Sequence, residues 1–178
     1  MDFEESATKK NIEKAFAGES QAESRYVCFS SIAKKEGYEQ IADIFLETAN
    51  NEKEHAKIWL KYLKKLGSTR ENLEEAAKGE NFETTKMYVE FEKKAREEGF
   101  EDIAEHFKKV GEIEREHEKR FRKLLENVEK DEVFGRKTGI CMWKCRNCGC
   151  VHCGLEAPKV CPVCHHGQAY FEIEAINY

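Results

Sequence analysis

Asn50 to His55 reads N-N-E-K-E-H and Glu112 to His117 reads E-I-E-R-E-H, so Glu-x-x-His occurs at Glu52/His55 and again at Glu114/His117. Residues three apart share one face of a helix, and each copy can therefore aim one carboxylate and one imidazole at a common centre. The spacing alone is a weak signal in a glutamate-rich chain. The repeat around it is stronger. Ala33–Trp59 aligns with Ala95–Phe121 at an offset of 62, setting A-K-K-E-G-Y-E-Q-I-A-D-I-F against A-R-E-E-G-F-E-D-I-A-E-H-F with both motifs in register. The chain contains a duplicated helical hairpin.

A second constellation lies near the end of the chain: Cys145-x-x-Cys148 and, twelve residues on, Cys161-x-x-Cys164. Two such pairs put four thiolates on two tight knuckles, a tetrahedral soft site for zinc or a single iron. Fewer than about 40 residues cannot build a self-sufficient core, so the metal must hold this module folded. Cys150 and Cys153 create an alternative set with Cys145 and Cys148. The outer pairs fit better, because Cys148 and Cys150 are too close for independent knuckles, but the extra thiols open a route to mis-metallation or a disulfide. Cys28 is expected in the core and Cys141 in a linker, and His152, His165 and His166 read as surface residues.

The elements that must position these groups follow from periodicity. Apolar residues recur at helical spacing from about Phe3 to Glu36, with Glu19 inside the stripe. Gly37 has the character of a left-handed helix terminator and Tyr38 follows it. A second helix is predicted from Glu39 to Leu66, with Ile41, Phe45, Thr48, Glu52, His55, Trp59, Tyr62 and Leu66 on its stripe. The polar stretch from Leu66 to Gly79 is partly helical at most and long enough to cross a bundle. A third helix, Glu80–Glu98, carries Glu80, Glu83, Met87, Phe91 and Ala95 on one face. Gly99-Phe100 repeats the Gly37-Tyr38 break, and a fourth helix, Glu101–Val128, places Glu114 and His117 on its stripe. Glu19, Glu52, Glu80, Glu83 and Glu114 thus occupy apolar stripes that hold no basic partner. An unpaired buried carboxylate costs several kcal/mol, and two cations completed by His55 and His117 would offset that cost. One Glu from each of two helices with Glu-x-x-His from each of two others describes a carboxylate di-iron or di-manganese site.

Composition agrees. The chain has 178 residues, 40% of them apolar, a net charge of −5 and eight cysteines, seven beyond residue 140. That length limits the chain to two modest domains, and the acidic balance argues against nucleic-acid binding. No apolar run reaches membrane length, and the acidic start lacks a signal peptide's pattern, so a cytoplasmic protein without membrane contact is expected. Clustered cysteines in such a chain point to metal rather than disulfides.

The sequence resembles the rubrerythrin family over nearly its whole length. Phe16-Ala17-Gly18-Glu19-Ser20-Gln21-Ala22-Glu23-Ser24-Arg25-Tyr26 is similar to that family's first ligand helix, and Gly79-Glu80-Asn81-Phe82-Glu83 with Met87-Tyr88 to its third. Trp143-Lys144-Cys145-Arg146-Asn147-Cys148-Gly149, Ala157-Pro158, Cys161-Pro162 and the ending Phe171-Glu172 to Ile176-Asn177-Tyr178 resemble its rubredoxin-type domain, although Cys150 stands where an aromatic residue is usual.

The resemblance implies an all-α four-helix bundle, ferritin-like, over residues 1–128, a linker over 129–140, and a small rubredoxin-like metal-knuckle domain over 141–178. It makes Glu52 and Glu114 bridging carboxylates, Glu19 and Glu80 terminal ligands, and His55 and His117 ligands of different irons. Glu83 becomes a seventh ligand, the oxidised-state seat of an iron that His55 holds when reduced, while Tyr26 and Tyr88 hydrogen-bond the site. Cys145, Cys148, Cys161 and Cys164 would hold one redox-active iron. The implied activity is a di-iron peroxidase reducing hydrogen peroxide to water, fed by an external rubredoxin or NADH-dependent reductase and assembled as a homodimer or larger homo-oligomer. A linker of that length would let the small domain reach a neighbouring subunit. The alternatives are a ferritin-like iron oxidase or store, which needs no four-cysteine relay, and a zinc-ribbon binding module, which leaves the stripe carboxylates unexplained.

Overall fold

The computed structural model describes residues 2–176; Asn177 and Tyr178 lie outside it. The chain divides into two compact units, Met1–Gly67 and Ser68–Tyr178.

The first unit is a hairpin of α1 (Ala7–Lys35) and α2 (Glu39–Tyr62). Ser6 caps α1, its hydroxyl accepting from the Lys9 amide. Between the helices Gly37 takes a positive φ of 86°, and the Tyr38 and Gly37 amides donate to the Ala33 and Lys34 carbonyls. This pair of bonds closes the last turn of α1 and reverses the chain. In the second unit α3 (Thr69–Phe82), a π-helical turn (Glu83–Met87) and α4 (Tyr88–Glu97) follow one another without a break, and α5 (Glu101–Glu129) returns alongside. Its turn repeats the first: Gly99 has φ 83°, and Phe100 and Gly99 donate to Ala95 and Arg96.

The duplication extends to packing. Tyr26, Phe29 and Phe45 form a ring cluster with Phe29–Phe45 centroids 5.6 Å apart, and Tyr88, Phe91 and Phe107 form its counterpart with Phe91–Phe107 at 5.5 Å. The buried seam, however, consists of small residues. Ala42, Ala49 and Ala56 recur every seven residues on α2 and pack with Ser30 and Ala33 buried on α1, while Ala77, Thr84, Ala95, Ala104 and Gly111 fill the second seam. Small side chains bring antiparallel helices close, and the larger stripe residues flank the contact. Ile41, Ile44 and Ile103 are about half exposed.

Several sequence expectations change here. α3 begins at Thr69, not Glu80, because Ser68 and Glu71 form a reciprocal capping box, and the connection after α2 shrinks accordingly. α2 ends at Tyr62 rather than Leu66, where Lys64 turns left-handed (φ 54°) and the Lys65 amide returns to the Leu60 carbonyl. Cys28 is exposed on α1, because the seam there is formed by Ser30 and Ala33.

The last segment is a three-stranded antiparallel sheet, order β2-β1-β3, of β1 (Cys141–Cys145), β2 (Val151–Gly154) and β3 (Phe171–Ile173). Trp143, Cys145, Ala157, Cys161 and Phe171 form its core. The Trp143 indole donates to the Gly154 carbonyl at 3.1 Å. Cys141 lies in β1, half-buried against that core, rather than in a linker. Nor is the chain before it free throughout. The Arg136 amide donates to Leu155 and the Ala157 amide to Phe134, so residues 134–136 pair with 155–157, and the Arg136 guanidinium lies over the Trp143 ring.

Because both turns need a positive φ, Gly37→Ala and Gly99→Ala should each destabilise the protein by about 1 kcal/mol. The double variant should lose roughly the sum, since the turns are distant in sequence and share no partner. Denaturant unfolding of the four proteins checks this.

Candidate metal centres

Each helical hairpin brings three ligand-type side chains together. On the first, Glu19 from α1 meets Glu52 and His55 from α2; on the second, Glu80 from α3 meets Glu114 and His117 from α5. The geometry repeats. His55 Nδ1 lies 2.8 Å from Glu52 Oε2 and 3.8 Å from Glu19 Oε2, and His117 Nδ1 lies 2.6 Å from Glu114 and 3.7 Å from Glu80. Two atoms bound about 2.1 Å from one ion can be at most about 4.2 Å apart, so both sets fit a shared cation. Glu-x-x-His supplies two ligands from one helix face, and the small-residue seam lets the third arrive from the neighbouring helix.

The electrostatics indicate what is needed. Around Glu19, Glu52, Glu80 and Glu114, the ion pairs among the described residues run to histidine alone. Within each hairpin two carboxyls share a hydrogen bond. Glu52 is held below the usual carboxylate range by its bond from His55 and then by Glu19, whereas Glu80 is pushed up by burial and then by Glu114. Two carboxylates this close favour retaining a proton. A cation replaces that proton and accepts both charges.

Glu83 opens the π-helical turn, half-buried and outside the tight three-atom cluster, and its charge acts on Glu80 and Tyr88. The turn accounts for a slip in the repeat. Glu80 is 61 residues after Glu19, but Tyr88 is 62 after Tyr26, so one residue has been inserted between them, and a π turn is how a helix accommodates it. Sequence reasoning missed the groups that hold this turn. The Thr84 hydroxyl donates to the buried Gly111 carbonyl at 2.6 Å, and a Cβ on Gly111 would lie 3.1 Å from Tyr88 Cβ. The available signal was the glycine itself, since its counterpart in the first hairpin is Ala49. Tyr88 is half-buried, with its hydroxyl pKa raised by burial and then by Glu83, Glu114 and Glu80, so it stays protonated as a donor. Tyr26 packs against Phe29 and Phe45.

In the small sheet domain Cys145, Cys148, Cys161 and Cys164 converge. Cys145–Cys164 and Cys148–Cys161 sulfurs are 3.7 and 3.6 Å apart. A tetrahedral ion about 2.3 Å from each sulfur requires edges of about 3.8 Å, so the outer pairs fit one metal. Backbone amides favour thiolate here: the Cys164 amide lowers Cys161, and the His166 amide lowers Cys164 to about 5. The Cys150 amide lowers Cys148, but the Cys164 thiol, burial and the Cys161 and Cys145 thiols together outweigh it and move Cys148 up to about 12. Cys150 is half-buried beside this set and Cys153 is exposed on β2; neither joins the four. His152 and His165 are exposed, and His166 stacks edge-on against Tyr170.

Helical hairpins bearing carboxylate–histidine sets, with an appended four-thiolate module, define a non-haem metalloprotein of the oxidoreductase class. Residues 10–125 match the family model for rubrerythrin, and residues 143–172 match that for the rubrerythrin rubredoxin-like domain. The chain is 49% identical to rubrerythrin-1 of Clostridium acetobutylicum, covering 96% of each chain. It is 50% identical to rubrerythrin of Porphyromonas gingivalis, covering 97% of this chain and 92% of that one, and 46% identical to a putative rubrerythrin of Methanocaldococcus jannaschii. The chain belongs to the rubrerythrin family. Its cofactors are iron, in a di-iron carboxylate site and in the four-cysteine site.

Anaerobic reconstitution should therefore give about three irons per chain, and Cys161→Ser should remove about one of them while sparing the other two. Iron analysis with a visible spectrum tests both numbers.

Proposed function

We propose that this protein is a peroxidase that reduces hydrogen peroxide to water, drawing electrons from an external NADH-linked donor such as rubredoxin through the four-cysteine site. One observation carries the reading: a single chain combines a four-thiolate site, which has no open position, with paired Glu-Glu-His sets that are only partly filled by protein. The overall change, H2O2 + 2 e− + 2 H+ → 2 H2O, needs an electron entry, an open reaction site and proton donors. Bound iron supplies the electrons and the Lewis acidity for breaking the O–O bond.

The chain's own groups supply the rest. Glu19, Glu52, Glu80, Glu114, His55 and His117 would hold the metals, Glu52 and Glu114 as shared ligands. Glu83, which the inserted residue adds to this helix, would be an alternate ligand to His55. The Tyr88 hydroxyl, kept protonated by its surroundings, orients an oxygen ligand by donating to it, and Tyr26 has the matching role on the other side. The thiolates of Cys145, Cys148, Cys161 and Cys164 would hold an iron that supplies single-electron transfer. A reducing, cytoplasmic setting would keep the clustered thiolates available as metal ligands.

Glu83 gives the sharpest test. If it is only a helix-surface charge, Glu83→Ala should change stability by roughly a few tenths of a kcal/mol and leave turnover alone. As the seventh ligand, its loss should leave iron content near normal, lower peroxide reduction and shift preference toward oxygen. Unchanged peroxide kinetics with both irons bound would refute the role. Separately, Cys161→Ser should abolish donor-coupled turnover, while chemically reduced protein still consumes peroxide once.

A further inference from the structure

We propose that Thr84 is a positioning residue for Tyr88: its buried hydroxyl, bonded to the Gly111 carbonyl, locks the π turn that keeps Tyr88 in line with Glu80 across an inserted residue. The consequence for turnover rests on the role given to Tyr88 above; the lock itself does not.

The argument is one of rotational phase. Each α-helical residue turns the chain by about 100°, so a residue seven along returns to within about 20° of the starting face. Tyr26 stands seven residues after Glu19 and shares its face. Tyr88 stands eight after Glu80, and a regular helix would carry it about 80° round, off that face. It does not go there. Tyr88, Phe91 and Phe107 repeat the cluster of Tyr26, Phe29 and Phe45, all at an offset of 62, and Tyr88 feels the charges of Glu83, Glu114 and Glu80. The π turn absorbs the extra residue, because the Tyr88 amide donates to the Glu83 carbonyl, five residues back, instead of to Thr84.

A π turn is rare on its own, and this one is held from outside. Thr84 is 6% exposed and donates at 2.6 Å to the carbonyl of Gly111, itself buried on α5. Thr84 follows Glu80 by four residues and Gly111 precedes Glu114 by three, so the bond lies one helical turn from the Glu80–Glu114 pair, between it and Tyr88. The missing Cβ of Gly111 lets Tyr88 pack there, since a Cβ would lie 3.1 Å from Tyr88 Cβ. The first hairpin has none of these parts. Ala49 stands at the glycine's place, Ala22 or Glu23 at the threonine's depending on the side of the slip, and α1 runs as unbroken α-helix from Ala7 to Lys35. Hydroxyl, glycine and π turn occur together, in the half that carries the insertion.

Hydrogen exchange of the iron-loaded full chain, read by mass spectrometry, tests the lock. Thr84→Val keeps the shape of the side chain and removes the hydroxyl. Peptides over residues 83–88 should then exchange about tenfold faster while those over 101–110 stay unchanged, and Thr84→Ser should restore wild-type exchange. Peroxide turnover tests the consequence. Thr84→Val should lower kcat about tenfold with iron content retained, and combining it with Tyr88→Phe should be no slower than Tyr88→Phe alone. Deleting Thr85, an exposed residue inside the turn, gives Tyr88 the seven-residue spacing of the first hairpin, so adding Thr84→Val to that deletion should change neither exchange nor turnover further. Faster exchange spread equally over 83–88 and 101–110, additive losses in the double variant, or a further loss in the deletion background would each overturn the proposal. If Tyr88→Phe keeps full turnover, the donor role of Tyr88 fails, and exchange alone decides whether Thr84 locks the turn. Should Thr84→Val not fold, Thr84→Ala, which sets no group against the carbonyl, takes its place in every comparison.

Discussion

Paired carboxylates without a basic neighbour are the constraint on which the helical part of this protein depends. Small residues along each seam bring two helices close enough for Glu19 to meet Glu52 and for Glu80 to meet Glu114. That same proximity sets like charges against one another. The side chains of these four residues are 15% to 27% exposed, so water screens part of the repulsion and the hairpins remain compatible with a metal-free state. Bound cations would take up the repulsion that this screening leaves.

The two halves begin from one design and differ where chemistry requires it. Matching turns, ring clusters and Glu-Glu-His sets give a symmetric scaffold. One added residue breaks it. A π turn widens the helix, and α5 accommodates the bulge by presenting Gly111, whose carbonyl takes the Thr84 hydroxyl and whose missing Cβ leaves room for Tyr88. Helix distortion, compensating glycine and the extra carboxylate Glu83 therefore form one unit rather than three separate features.

Much of this was legible in residue spacing. Glu-x-x-His, the 62-residue repeat, the glycine turns and the two Cys-x-x-Cys pairs all report local geometry, which period and spacing encode well. Burial was less legible, because the stripes of large residues drew attention away from Ala42, Ala49 and Ala56, which form the actual contact. The start of α3 was written in Ser68-Thr69-Arg70-Glu71, a capping box overlooked because the following segment is polar and lacks an apolar stripe. The one-residue slip was visible, but period alone does not say whether a helix absorbs an insertion as a π turn or breaks.

The thiolate module shows how little apolar material a metal-held fold requires and how that limits its freedom. Two of its five core residues, Cys145 and Cys161, are themselves ligands, so the ion joins the two halves of the core as well as carrying charge. Phe134 packs against the same core and Arg136 covers Trp143, which draws the preceding chain into the module. Only residues 130–133 then separate α5 from this docked strand, a reach of about 18 Å at most. A tether so short cannot sweep the module over a wide range of acceptors.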